Sequence, residues 1–325
     1  MSNYLIRRLL VAIPLLLAIT IMTFTFINLA PGDPVDALID PEFFVAGAGD
    51  ALRARMGLDK PVHVRYLIWL REMLTGNFGY SYQFGIPVLS MIKDRMIPTL
   101  ELTVVSLVAA TVFGTALGVV QALRQYSIFD YSLSVGALFG ISIPAFFFAL
   151  LVLYVFVAVL GWFPSYGMQN YAERFDSWWP KFIDHVHHLI LPASVVAVES
   201  LAGNMRYART AMLEVMRSDY VRTAQAKGLS QWIVITRHAF RNALLPLVTV
   251  TTLRLPSLIG GIIIIEQMFA WPGMGQLSIT AVGNRDYTVL MGLAFFTAVL
   301  VLGANLLADL LYAVADPRIR VDEQG

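Results

Sequence analysis

Runs of about twenty consecutive, mostly apolar residues recur along this chain, and a run of that kind has few stable destinations other than the interior of a bilayer. The hydrocarbon layer is about 30 Å thick and a helix rises about 1.5 Å per residue, so about 20 residues are needed to cross it. The runs are Leu9–Leu29, Leu102–Leu123, Leu133–Leu160, a short one at Leu189–Gly203, Leu244–Ile265 and Val289–Val314. They predict an all-α, polytopic membrane protein with six transmembrane helices. Leu189–Gly203 holds Glu199, and its helix has room to continue into the charged segment beyond. Leu133–Leu160 holds Pro144, where a kink rather than a stop is expected, because neighbouring helices can satisfy the freed backbone groups. Composition agrees: 58% of residues are hydrophobic and 14% charged, against roughly 45–50% and 25% in a soluble domain.

Six crossings place both termini on one side, and lysine and arginine in short loops choose which side that is. With the N-terminus cytoplasmic, that side holds Arg7, Arg8, Arg124, Arg206, Arg209, Arg217, Arg222, Lys227, Arg237, Arg241, Arg318 and Arg320. The two short outer loops then carry only Arg174, Lys181 and Arg285. Basic residues in the long segment between Pro31 and Pro98 count for little, since long loops cross largely regardless of charge. Trp162, Trp178, Trp179 and Trp271 fall in the outer loops, where an amphipathic indole suits the membrane interface. The first apolar run is too long for a typical signal-peptide core, and no small-residue cleavage site follows it, so a retained helix is expected.

A net charge of +1 gives no broad attraction to phosphates, which makes nucleic acid a poor partner. Cysteine is absent, which excludes disulfides and thiolate metal sites. The four lysines, Lys60, Lys93, Lys181 and Lys227, precede Pro, Asp, Phe and Gly. A Walker A loop needs lysine followed by serine or threonine, so the chain has no phosphate cradle of its own. No His-Glu-x-x-His or Gly-x-Ser-x-Gly occurs to support an intramembrane hydrolase.

The pattern divides the chain into a first transmembrane helix (1–30), an outer segment (31–98), a core of the remaining spans (99–314) and a tail (315–325). The outer segment holds turn signals at Pro31-Gly32-Asp33-Pro34 and Gly57-Leu58-Asp59-Lys60-Pro61. Between them and Gly76, apolar Val64, Leu67, Ile68, Leu70, Met73 and Leu74 recur at near-helical spacing, which predicts an amphipathic helix and a small outer subdomain. Gly114 and Gly118, and Gly260 and Gly261, permit close packing of the second and fifth spans.

The inner loop 204–242 is polar without being disordered in composition. Ala211, Met212, Val215 and Met216 continue a helical stripe out of the fourth span, and Tyr220, Val221, Ala224 and Ala226 lead into Gly228, a plausible helix stop. This pattern predicts a short surface helix. It suits a groove on a partner protein and lipid headgroups equally well.

At this loop the sequence resembles the inner-membrane components of binding-protein-dependent ABC importers, specifically the dipeptide/oligopeptide permease family. The matching residues run from Asp219 through Tyr220, Val221, Arg222, Thr223, Ala224, Gln225, Ala226 and Lys227 to Gly228, followed by Arg237-His238-Ala239-Phe240-Arg241-Asn242-Ala243-Leu244-Leu245-Pro246. The glutamate that opens the general importer motif is missing and the gap to Leu245-Pro246 is longer, as in the peptide-permease variant. The resemblance extends to Pro31-Gly32-Asp33-Pro34, Gly57–Pro61, Gly76–Tyr82, Glu266–Gly275, Arg285-Asp286-Tyr287, Asn305–Asp309 and Asp316–Arg320.

The resemblance implies a type I-like importer in the bacterial inner membrane, multi-pass with both termini cytoplasmic. Its partners would be a second homologous permease subunit, two cytoplasmic ATPases and a periplasmic or lipid-anchored substrate-binding protein. This chain would bind no cofactor, with ATP and Mg held by the ATPases. The coupling residues would be Arg217, Asp219, Tyr220, Arg222, Thr223, Ala224, Ala226, Lys227 and Gly228, with small Ala224 and Gly228 allowing close approach and Lys227 orienting the contact. Related permeases carry dipeptides, longer peptides, nickel chelates or other small solutes. A gradient-driven carrier and a membrane enzyme are the competing functions.

Among single residues, Arg254 lies well inside the fifth span, where an exposed arginine costs about 2.5–3.5 kcal/mol on insertion scales. It reads as a pathway residue attracting a peptide carboxylate, or as a structural partner of Glu199. Glu199 and Asp309 suit a proton relay, or structural and inter-subunit polar contacts. Arg254 and Glu199 are thus the candidate residues of a translocation pathway. His185, His187 and His188 stand together with Asp184 before the fourth span; interfacial placement is the plainer reading and a metal site the sharper one.

Overall fold

The computed structural model describes residues 2–29, 32, 35, 48–244, 247, 251 and 262–315, and their regular structure is helical apart from a single isolated bridge between Tyr80 and Pro87. In chain order the helices are α1 (Ser2–Leu29), α2 (Ala48–Arg55), α3 (Val62–Leu74), α4 (Val88–Leu123), α5 (Ile128–Ser142), α6 (Ala145–Val152, passing into a π-helical stretch Leu153–Val159), α7 (Trp178–Met216), α8 (Asp219–Ala226), α9 (Ile263–Met268), α10 (Met274–Gly283) and α11 (Tyr287–Ala315). Among the described residues four helices are long and apolar enough to cross a membrane, or five if the bent pair α5–α6 counts as one span. Most of the expected span Leu244–Ile265 lies outside the described residues, and so do Arg254, Gly260 and Gly261.

The chain forms two compact units. The first comprises Met1–Thr99 and Pro272–Leu302. Within it, Phe78, Val88, Met91 and Ile92 pack with Met274, Leu277 and Ala281 of α10 and Val289 and Leu293 of α11. Tyr66 of the amphipathic α3 meets Phe24 of α1 edge-on at 5.4 Å, and its hydroxyl lies 3.0 Å from that of Thr20.

Three separated stretches that carry the resemblance meet here, two in the outer segment and one at Arg285-Asp286-Tyr287. Asp286, 2% exposed, accepts hydrogen bonds from the hydroxyls of Ser81 and Thr288 and from the backbone N–H of Gln83 and Val289. The Tyr287 hydroxyl donates to the carbonyl of Gly32 at 2.9 Å. Gly32 has φ +87°, a left-handed conformation that calls for glycine, with the Arg285 guanidinium lying against it. Burial pushes the neighbouring Tyr82 phenol above its ordinary pKa.

The second unit comprises Leu100–Trp271 and Gly303–Gly325, and its central element is α7. At 39 residues α7 is far longer than Leu189–Gly203, because the helix runs on through the charged segment at both ends. Small residues set its packing against α4. A Cβ on Gly114 would lie 2.8 Å from the carbonyl oxygen of Leu201, and one on Gly118 only 2.3 Å from that of Met205. The two glycines thus let backbone meet backbone, as their spacing predicts.

Pro144 departs from its expected role. Instead of kinking one helix it separates two, α5 and α6, bent by 110°. Ile143 and Pro144 are extended, at ψ 125° and 136°. Proline disfavours the helical region for the residue before it and cannot donate to the preceding turn, so helix restarts only at Ala145.

Trp271 departs as well. It is fully buried in a cluster with Leu102, Leu189, Ala193 and Ile262, whereas Trp162, Trp178 and Trp179 are exposed. Ala270, at φ +45°, turns the chain so that the Trp271 N–H reaches the Glu266 carbonyl at 2.8 Å and the ring points inward.

Candidate functional site

The inner loop grows directly out of α7. That helix ends at Met216, Arg217 forms its C-cap, and Ser218 takes an extended conformation with its hydroxyl donating to the Val215 carbonyl at 2.6 Å. One residue later α8 begins. Asp219 stands in its first turn, where a carboxylate complements the positive end of the helix dipole. Arg222 lies 3.8 Å from it in an exposed ion pair, which contributes little to stability. Gly228, at φ +76°, ends the helix with its N–H donated to the Gln225 carbonyl. That left-handed conformation is the reason for glycine there, and no atom lies close enough to clash with a Cβ.

Helical spacing divides the face of α8. Val221 and Ala224, three residues apart, are buried against Val234, so Ala224 packs α8 onto its own loop. Asp219, Tyr220, Arg222, Thr223, Gln225, Ala226 and Lys227 are left exposed. Beyond Gly228, Leu229 and Trp232 extend this surface, Trp232 being 74% exposed.

The return path runs through a π-helical stretch, Val234–Phe240. Its Ala239 packs with Ala243, with Ala211 and Met212 of α7, and with Ala122 at the end of α4. The loop is therefore packed onto the ends of two long helices. Small side chains dominate that junction and allow close backbone approach.

Next to it sits an ion pair that patterning alone did not single out. Arg209 of α7 donates from Nε and Nη2 to the two carboxylate oxygens of Asp130, at 2.9 and 2.8 Å. Asp130 is 3% exposed; it also accepts from the Tyr126 N–H and from Gln121. A signal was present in Ser127-x-x-Asp130 at the start of α5, where the Ser127 hydroxyl caps the helix by accepting the Asp130 N–H. Asn204 of α7 is 1% exposed, and its side-chain amide has no hydrogen-bond partner among the described residues.

Glu199 lines a cavity of about 470 Å3 beside the α5–α6 break, together with Phe139, Gly140, Phe148, Val195 and Ile262. Asp309 is half-buried on α11. The three histidines do not converge. His185 bonds to Glu101 at 2.5 Å and to the Met168 carbonyl, His187 to the Trp162 carbonyl, and His188 to the Asp184 carbonyl. No cluster of metal-ligating side chains occurs among the described residues.

Two family models divide the chain near the start of this unit. Residues 1–103 match the N-terminal membrane component of binding-protein-dependent transport systems, and residues 114–321 match "Binding-protein-dependent transport system inner membrane component". The chain belongs to this family.

Its relatives span the same length. The oligopeptide transport system permease protein AppB of Bacillus subtilis is 43% identical over 320 residues, covering 98% of this chain and 99% of that protein. The dipeptide transport system permease protein DppB of Alkalihalophilus pseudofirmus is 36% identical over 337 residues, covering 98% and 100%. Among solved structures, the MetNI methionine ABC transporter in an inward-facing conformation matches with a TM-score of 0.56 at 17% identity, over 70% of this chain and 97% of that one. The likeness extends the family assignment to the fold. As a binding-protein-dependent permease, the chain is a membrane-embedded transport component and not itself a catalyst.

Proposed function

We propose that this permease is one of two homologous membrane subunits through which an ATP-driven importer carries di- and oligopeptides, and that α8 is its coupling helix. A binding protein would deliver the peptide on the outer side, and two ATPases would dock on the inner side, where the basic residues concentrate and both termini lie. The peptide assignment rests on relatives with peptide substrates over nearly the full chain.

The observation that carries the coupling role is the shared junction of Ala211, Met212, Ala239, Ala243 and Ala122. A partner gripping the exposed face of α8 at Tyr220, Arg222, Thr223, Gln225, Ala226 and Lys227 would move α7 and α4 with it. Such packing is too dense to absorb the displacement locally. Arg217 and Asp219 flank this face, Gly228 ends it, and Ala224 acts from beneath by fixing α8 on Val234. ATP and Mg would be held by the ATPases, whose closure on nucleotide would tilt the spans outward-open.

Reconstitution tests the proposal. With the second permease, the ATPases and the binding protein, vesicles take up a labelled dipeptide only when ATP is present on the ATPase side, and the chain alone is inert under an ion gradient. Uptake by the isolated chain under that gradient would replace the reading with a secondary carrier, and a complete complex that hydrolyses ATP without moving any peptide would remove the substrate assignment.

A further inference from the structure

We infer that the cavity beside the α5–α6 break is a transient station for the α-ammonium group of the transported peptide, with Glu199 as its counter-charge; this rests on the peptide reading above.

The cavity, about 470 Å3, falls within the roughly 300–1,000 Å3 typical of small-molecule sites. Its wall is apolar apart from Ser200 and one charged side chain, Glu199. Glu199 is exposed and makes no hydrogen bond or ion pair with another described residue. It belongs to α7, a helix long and apolar enough to cross a membrane, and its exposed carboxylate borders the cavity, where a cation is its natural counter-charge.

A second source of negative potential opens into the same space. α5 ends at Ser142, and the residue four positions beyond Gly140 is Pro144, which has no N–H to donate. The Gly140 carbonyl therefore lacks its helical donor, and the α5 C-terminus carries the partial negative charge of an unsatisfied helix end. Gly140, Ile143 and Ala145 all line the cavity. Broken helices whose ends face a cavity are a recurrent way to hold an ion at membrane depth.

Charge complementarity thus selects a cation. The apolar wall, with Phe139, Phe148, Val195 and Ile262, selects one that carries an apolar body. The amino-terminal residue of a peptide has both. A single carboxylate in a wet cavity holds such a group weakly, which suits a site that must also release it.

Because the natural chain has no cysteine, a reporter thiol can be placed in the cavity at Ile143→Cys, with Val196→Cys as a second reporter should the first disturb folding. In the assembled complex, alanyl-phenylalanine is expected to slow maleimide labelling of the reporter about tenfold. N-acetyl-alanyl-phenylalanine should not slow it. Adding Glu199→Gln should abolish the protection, and Glu199→Asp should retain part of it.

Equal protection by both peptides, no protection by either, or protection that survives Glu199→Gln would overturn the inference. Loss of assembled complex in Glu199→Gln, with Glu199→Asp unprotected, would instead make the carboxylate a structural partner. ATP-driven uptake of the same dipeptide, measured in parallel, separates the two layers. Uptake without protection defeats this site alone, whereas absence of uptake in the unsubstituted complex defeats the peptide reading.

Discussion

Asp130 and Arg209 show how much a single pair can decide in a membrane protein. A carboxylate with a 4% exposed side chain is tolerable only because a two-pronged guanidinium and the Tyr126 N–H compensate it. Removing the cation strands the anion. Arg209→Met should therefore lower the thermal stability of the solubilised complex by about 3 kcal/mol. Asp130→Asn in the same chain should restore part of the loss, because the amide carries no charge and its Oδ1 can still accept from the Tyr126 N–H. Stability unchanged in Arg209→Met would show that water already satisfies Asp130. The pair was hard to read from sequence because 79 residues separate its members. The burial of Trp271 and of Ala224 was hidden for a related reason. Composition places an indole at the interface and a small residue on a docking face, but only the turn at Ala270 and the packing of Val234 reveal which way each side chain points.

Helices and their junctions were more legible than single contacts, since apolar length and glycine spacing are local properties. The amphipathic α3, the close α4–α7 crossing and the short α8 all occupy stretches that periodicity marks out. Junctions were less so: Pro144 produces a 110° break because Ile143 is also drawn into extended conformation, a two-residue effect. The α4–α7 crossing can be tested directly. Gly118→Ala places a methyl 2.3 Å from a backbone oxygen, which cannot rotate away. A destabilisation of about 1–3 kcal/mol is expected from such overpacking, read as a lower unfolding midpoint of the purified complex. Gly303→Ala on α11, with nothing near its added Cβ, should be neutral or slightly stabilising. Equal behaviour of the two variants would remove the close-packing argument.

At the scale of the whole molecule, the family and its architecture were readable because the diagnostic stretches keep their order relative to the spans. The reason for each stretch was not. Gly32, Ser81 and Asp286–Tyr287 are distant in sequence, and their common purpose appears only where Asp286 gathers the hydrogen bonds of Ser81 and Gln83 and Tyr287 reaches the Gly32 carbonyl. The inner loop reverses that order: its motif was evident, but its packing comes from small residues on α4, α7 and the π-helical stretch that no motif links. The account depends on α8 being a handle by which a separate motor turns the spans. The most direct test places one cysteine at Arg222→Cys, on the exposed face of α8, in the otherwise cysteine-free chain. A membrane-impermeant maleimide should label it in inside-out vesicles but not in intact cells, and a short bifunctional reagent should join it to an ATPase subunit and halt uptake. Labelling from outside intact cells, or full uptake with no ATPase crosslink at this position, would contradict the account.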